Sequence, residues 1–152
     1  MNYREALSYA MDICSRQEKC SSEVRMKLKQ FNLPDEQVEQ VLKTLKDEGF
    51  IDESRYAGMF VRDKLHLNRW GRIKIRYALT AKQIPEEIIS DALNGIDNKD
   101  YLRILGEEIS KKLPQIKGKD PYAVKSKLVR FGQQRGFEPG LIYQVLEELK
   151  NR

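Results

Sequence analysis

One histidine (His66), two cysteines (Cys14 and Cys20) and one tryptophan (Trp70) in 152 residues leave little material for enzymatic chemistry. A single histidine excludes most imidazole-based catalysis and His-rich metal centres. The cysteines have no neighbouring Cys/His pair to complete a zinc tetrahedron, and two are too few for a disulfide framework. They read as small helix-packing residues of a reduced, cytoplasmic protein. Gly-x-Gly-x-x-Gly and Gly-x-Ser-x-Gly are absent. Gly118-Lys119 lacks both the upstream glycine and the following Ser or Thr of a phosphate-binding loop. No apolar run approaches ~18 residues, so no membrane span is expected, and Met1 to Ala6 opens no signal peptide. No nucleophile, base and oxyanion donor assemble. An enzyme is the least favoured class, and no cofactor or metal is expected.

What is present is core-forming and charged. The chain is 40% hydrophobic, enough for a packed interior, and 34% charged. Twenty-eight Lys and Arg stand against 23 Asp and Glu, a net charge of +5. A surplus of that size hints at an anionic partner, but its distribution matters more than its sum.

The apolar residues repeat. Val24, Leu28, Leu33, Val38, Val41, Leu42 and Leu45, shifted by 51 positions, fall on Ile75, Leu79, Ile84, Ile89, Ala92, Leu93 and Ile96. Shifted again by 53 they fall on Leu128, Gly132, Phe137, Ile142, Val145, Leu146 and Leu149. Six of the seven positions stay apolar in all three copies.

Each block reads as two helices divided by a turn. Ile75, Ala78, Leu79 and Lys82 have the i, i+3, i+4, i+7 spacing of one helix face. Pro85, like Pro34 and Pro139, ends one helix and opens the next. Another helix precedes each block, with faces at Ala6, Leu7, Ala10 and Cys14; at Tyr56, Ala57, Phe60, Val61 and Leu65; and at Tyr101, Leu102, Leu105, Ile109 and Leu113. Ser21/Ser22 and Asp52 are the expected N-caps. Strand signals are missing. The expectation is an all-α fold of three tandem three-helix repeats (1–50, 51–97 and 98–152). Each is too small to be comfortable alone, so they are expected to stack into an elongated, curved body.

The positive charge is uneven. Arg62, Lys64, Arg69, Arg72, Lys74 and Arg76 share their stretch with one acid, Asp63. Lys125, Lys127, Arg130 and Arg135 fall in a second basic run that begins at Lys111. These ten residues are the expected surface for phosphates or an acidic protein, and Trp70 is a candidate for stacking. The bland alternatives are a solvated face with stems covering the core and a tryptophan in the core. No helix carries a base-reading set. Reversing Arg72 and Arg76 together is expected to weaken binding while leaving helicity intact.

Phe50-Ile51-Asp52-Glu53-Ser54-Arg55-Tyr56-Ala57, followed by Trp70-Gly71-Arg72-Ile73-Lys74-Ile75-Arg76 through Leu79, resembles the RecX family of recombination regulators. Ser22-Glu23-Val24-Arg25-Met26-Lys27-Leu28 is similar to that family's N-terminal Ser-x-x-Glu-Leu-Arg-x-Lys-Leu element, one residue shorter. Lys127-Leu128-Val129-Arg130-Phe131-Gly132-Gln133-Gln134-Arg135-Gly136-Phe137 is similar to its Arg-Phe-Leu-x-x-Arg-Gly-Phe element. The departure is Gly132, where leucine is usual. Glycine there costs about 1 kcal/mol in helix propensity, removes a core side chain and is expected to loosen the last repeat. The resemblance implies a non-catalytic protein that binds the RecA filament on single-stranded DNA and inhibits its recombinase and ATPase activities; a monomer is expected. Weak direct DNA binding is a further expectation. The alternatives are a general DNA binder without sequence preference and a helical-repeat adaptor for another protein.

Overall fold

Three features that the sequence places at equal spacing behave alike in space. Asn32, Gln83 and Gly136 stand 51 and then 53 residues apart, and each has a positive φ, of 57°, 63° and 94°. Each lies just past the middle helix of its repeat, in the left-handed conformation that terminates helices. Two of these ends carry the matching 6→1 hydrogen bond. The Ile84 N–H donates to the Leu79 carbonyl at 3.2 Å, and the Phe137 N–H to the Gly132 carbonyl at 3.0 Å.

A computed structural model describes residues 1–151. Among them it has nine α-helices, one short 3-10 turn and no strand. The helices are α1 (Tyr3–Arg16), α2 (Ser21–Lys29), α3 (Asp35–Asp47), α4 (Glu53–His66), α5 (Arg72–Ala81), α6 (Glu86–Asn94), α7 (Asn98–Lys112), α8 (Pro121–Gln134) and α9 (Pro139–Lys150). The fold is all-α, as the periodicity predicts.

Local chemistry explains the helix boundaries. Asn2 caps α1 through its side chain, and Glu5 reaches back to the Asn2 N–H. Asp52 accepts from the Arg55 N–H at 3.0 Å, which makes it a side-chain cap. Asp120 does the same for the Tyr122 N–H at 3.1 Å. Pro34 is the N-cap of α3, and Pro139 begins α9. The cap of α2 differs from the serine expected: it is Cys20, whose N–H is taken by Glu23 at 3.1 Å. Ser21 is the first helical residue instead. Its N–H and hydroxyl both donate to the Glu53 carboxylate, at 3.0 and 3.2 Å.

Packing divides the chain into two units whose borders differ from the repeat borders. Unit 1 holds residues 1–59 and 79–89; unit 2 holds 60–78 and 90–152. The division passes through α4, α5 and α6. In unit 1, α1, α2 and α3 pack on one another around Ala6, Ala10, Cys14, Val24, Leu28, Leu33, Val38, Val41, Leu42, Leu45 and Ile51. Both cysteines are buried free thiols. In unit 2, α7, α8 and α9 pack on one another, and the buried residues include Leu65, Ile75, Tyr101, Ile104, Leu105, Ile109, Leu128, Phe137, Ile142 and Val145. Leu113, expected on the apolar face of α7, lies in the 3-10 turn and is exposed, because Pro114 breaks the helix there.

Gly132 leaves no hole in unit 2. A Cβ built at this position would lie 2.6 Å from Cδ1 of Ile142, whose side chain fills the space that a leucine would claim. The loosening expected from this glycine is offset by that packing.

Candidate partner-binding surface

All ten basic residues singled out in the sequence lie within unit 2, although they come from two stretches about 50 residues apart. The partition of charge follows. Unit 1 has 10 Lys and Arg against 13 Asp and Glu, a net −3. Unit 2 has 18 against 10, a net +8. A chain that is mildly basic overall is therefore an acidic unit and a strongly basic one. The long-range field of unit 2 favours an anionic partner.

What joins the two stretches is a backbone contact. The Gly71 N–H donates to the Arg135 carbonyl at 2.7 Å, and the Ile73 N–H to the Gly136 carbonyl at 3.0 Å. The turn between α8 and α9 thus satisfies two otherwise unpaired N–H groups at the start of α5. The approach demands glycine on both sides. A Cβ on Gly71 would sit 2.4 Å from the Gly136 carbonyl carbon, and one on Gly136 would sit 2.3 Å from Cβ of Lys74.

The basic residues have unequal roles around this contact. Arg72 is internal to the fold. Its guanidinium lies 3.9 Å above the Tyr101 ring and donates to Glu138 at 2.9 Å and to Asn98 at 2.8 Å. Its backbone N–H donates to the Tyr101 hydroxyl at 2.9 Å, and that hydroxyl donates to Glu138. Burial, then the bond to Glu138, pushes the Tyr101 phenol well above its ordinary value. Arg69 is paired with Glu107 at 2.8 Å, and this bond, with another from Arg103, holds the Glu107 carboxyl below its ordinary range. Arg76 donates to Ser90 at 3.4 Å. Reversing Arg72 and Arg76 together would break the packing of unit 2 rather than report on a free surface.

Of the remaining cations all but Arg135 lack an acidic partner among the described residues. Lys64 and Lys74 lie over the Trp70 ring, 4.8 and 4.5 Å from its centre. Trp70 is half-buried, neither a core residue nor an open platform. Arg135 stands over the Phe131 ring at 5.1 Å and donates to the Asn68 carbonyl at 3.4 Å. Beneath it lies the buried Glu108, 3.7 Å from Arg135 and 3.5 Å from Lys111. Arg62, Lys127 and Arg130 are exposed, with no acidic partner among the described residues. Lys125 is exposed and lies 5.5 Å from the centre of the Tyr143 ring. The aromatic partners Phe131 and Tyr143, and the exposed Tyr122, were not among the expected site residues. Tyr122 stands three residues before Lys125 on α8, a spacing that could have revealed it.

The surface can hold anionic groups and flat rings. Among the described residues no cluster of three or more His, Cys, Asp or Glu is arranged to bind a metal. No helix is long and apolar enough to cross a membrane.

Three family models match the chain in order. They describe the first, second and third three-helix domains of RecX, over residues 6–45, 52–93 and 99–146. The chain belongs to the RecX family. A regulatory protein RecX of Prosthecochloris aestuarii is 33% identical over 96% of this chain and 94% of its own length. One of Clostridium acetobutylicum is 30% identical over 97% of this chain and 70% of its own. A crystal structure of RecX from Lactobacillus salivarius superposes with a TM-score of 0.90 over 99% of this chain and 97% of that one. At 21% identity it speaks to the fold alone. A second RecX crystal structure, 26% identical, gives a TM-score of 0.88 over 95% of this chain and 71% of that one. The relatives are named as regulatory proteins, and a regulatory role is what membership of the RecX family supports.

Proposed function

We propose that this protein regulates RecA in the cytoplasm. It binds the RecA filament on single-stranded DNA through unit 2 and lowers the filament's ATPase and strand-exchange activities by binding alone. The observation that carries this reading is the partition of charge, +8 on unit 2 against −3 on unit 1. A filament of protein on DNA presents phosphates and acidic side chains along its length, and a cationic face is matched to it. The poverty of histidine and cysteine fits a protein that binds without covalent chemistry.

The test is inhibition of RecA ATPase and strand exchange by substoichiometric protein. The reading predicts inhibition that weakens as salt rises. Absence of any effect on RecA would leave the adaptor alternative. Equal affinity for bare duplex and single-stranded DNA, with no effect on RecA, would leave the general DNA binder.

A further inference from the structure

We propose that the groove between α8 and α9 is a binding site for single-stranded nucleic acid, which it engages by base stacking and without RecA. The groove has a volume of about 420 Å³, and no acidic residue lines it. From α8 it is lined by Tyr122, Lys125, Val129, Arg130 and Gln133, and from α9 by Tyr143. The α8 residues follow helical spacing, so they form one stripe spanning about 16 Å of helix. Beside this stripe α8 buries Leu128 and Gly132 in the core, while Tyr122, Lys125 and Arg130 are exposed.

Two independent features point to this ligand. The first is charge: Lys125 and Arg130 have no acidic partner among the described residues. The second is the rings. Tyr122 is 81% exposed and Tyr143 is 47% exposed, although burial of either ring would be favourable. An acidic peptide would explain the cations but would gain little from the exposed rings, Tyr122 open and Tyr143 with Lys125 5.5 Å from its centre. A duplex would meet the cations but keep its bases stacked on one another. A single strand uses both, its phosphates on Lys125 and Arg130 and its bases on the tyrosines. This inference does not rest on the RecA reading.

The test is binding of the full chain to a fluorescent oligo-dT strand, without RecA, followed by anisotropy. Both tyrosines are surface groups, and circular dichroism checks that each variant keeps its helices. Tyr122→Ala and Tyr143→Ala should each weaken binding by at least about 5-fold. Tyr122→Phe and Tyr143→Phe, which keep the ring, should bind like the wild type. Lys125→Gln with Arg130→Gln should reduce the slope of log K against log salt by about 1.4, the value for two lost phosphate contacts on a single strand. Alanine variants that bind like the wild type would overturn the proposal. So would a duplex of the same length that binds as tightly, or an oligoglutamate peptide that competes as well as unlabelled oligo-dT. Oligo-dT binding that persists in a protein with no effect on RecA would count against the filament reading alone.

Discussion

In unit 1 half of the ten basic side chains are answered by acids: Arg16 by Asp12, Arg25 by Glu39, Lys43 by Asp47, Arg55 by Glu18 and Lys82 by Glu23. In unit 2 the pairing is selective. Arg69, Arg72 and Arg103 are tied to carboxylates and Arg135 pairs with Glu108 at 3.7 Å, whereas Arg62, Lys127 and Arg130 are left to solvent and Lys64, Lys74 and Lys125 lie over aromatic rings. The two units share one helical pattern and differ in how their charges are used. Unit 1 also has cations without an ion pair among the described residues, Arg4, Lys19, Lys27, Lys29 and Lys46, but they stand among a surplus of acids. Unit 2 keeps unpaired cations amid a surplus of positive charge, and a backbone contact that only glycine permits joins its two basic stretches.

The sharpest contrast is between two glycines with positive φ. Gly136, at 94°, has no room for a Cβ, while Gly49 in unit 1, at 79°, has nothing within 4 Å of one. Gly136→Ala should lower the stability of unit 2 by about 3 kcal/mol, from overpacking added to the left-handed penalty. Gly49→Ala should cost about 1 kcal/mol, the left-handed penalty alone. Chemical denaturation of both variants measures the difference, and equal losses would refute the special role of the Gly71–Gly136 contact.

Next comes the distinction among the arginines. Arg72→Ala takes the guanidinium from Glu138, Asn98 and the Tyr101 ring and should cost about 2 kcal/mol. Lys127→Glu, on an exposed residue, should change stability by no more than about 0.5 kcal/mol. Denaturation midpoints that rank the two in the opposite order would reassign Arg72 to the surface.

The smallest effect is in pH. The hydrogen bond to Asp100, at 2.7 Å, and then the Arg62 carbonyl raise the His66 pKa above 6.5. A raised folded pKa means that this stabilisation is complete below pH 6.5 and is lost as the pH climbs through the folded value. In unit 1 the sign is opposite. Burial pushes Glu23 up, but the Cys20 N–H and Lys82 outweigh it and hold the carboxyl below 4.5. That contribution is present above pH 4.5 and is lost as the pH falls through the folded value. His66→Gln should therefore flatten a slight decline in melting temperature between about pH 6 and 8. An unchanged slope would show that the His66–Asp100 pair contributes nothing to stability.

Much of this was legible in the sequence. The apolar register located Val24, Leu28, Ile75, Leu79, Leu128 and Phe137 in the core, because burial enforces helical spacing wherever a helix has one dry face. The basic stretches were visible as composition. Which cations are free was not, because pairing depends on partners distant in sequence: Glu138 lies 66 residues from Arg72. The division into two units was equally hidden. So was the contact that joins the two basic stretches of unit 2, between Gly71 and Gly136, two glycines that look alike in sequence whether they end a helix or accommodate another backbone. Gly132 misled for the same reason, since Ile142, which occupies its space, comes from the next helix.

The most direct measurement is inhibition of RecA filament ATPase by paired charge reversals in each unit. Arg62→Glu with Lys127→Glu alters unit 2 at exposed cations outside the α8–α9 groove. Lys27→Glu with Lys29→Glu makes the same change in charge at exposed positions of unit 1. The account predicts inhibition weakened by about tenfold or more in the first variant and unchanged in the second. Equal loss in both, or loss in the second alone, would contradict it.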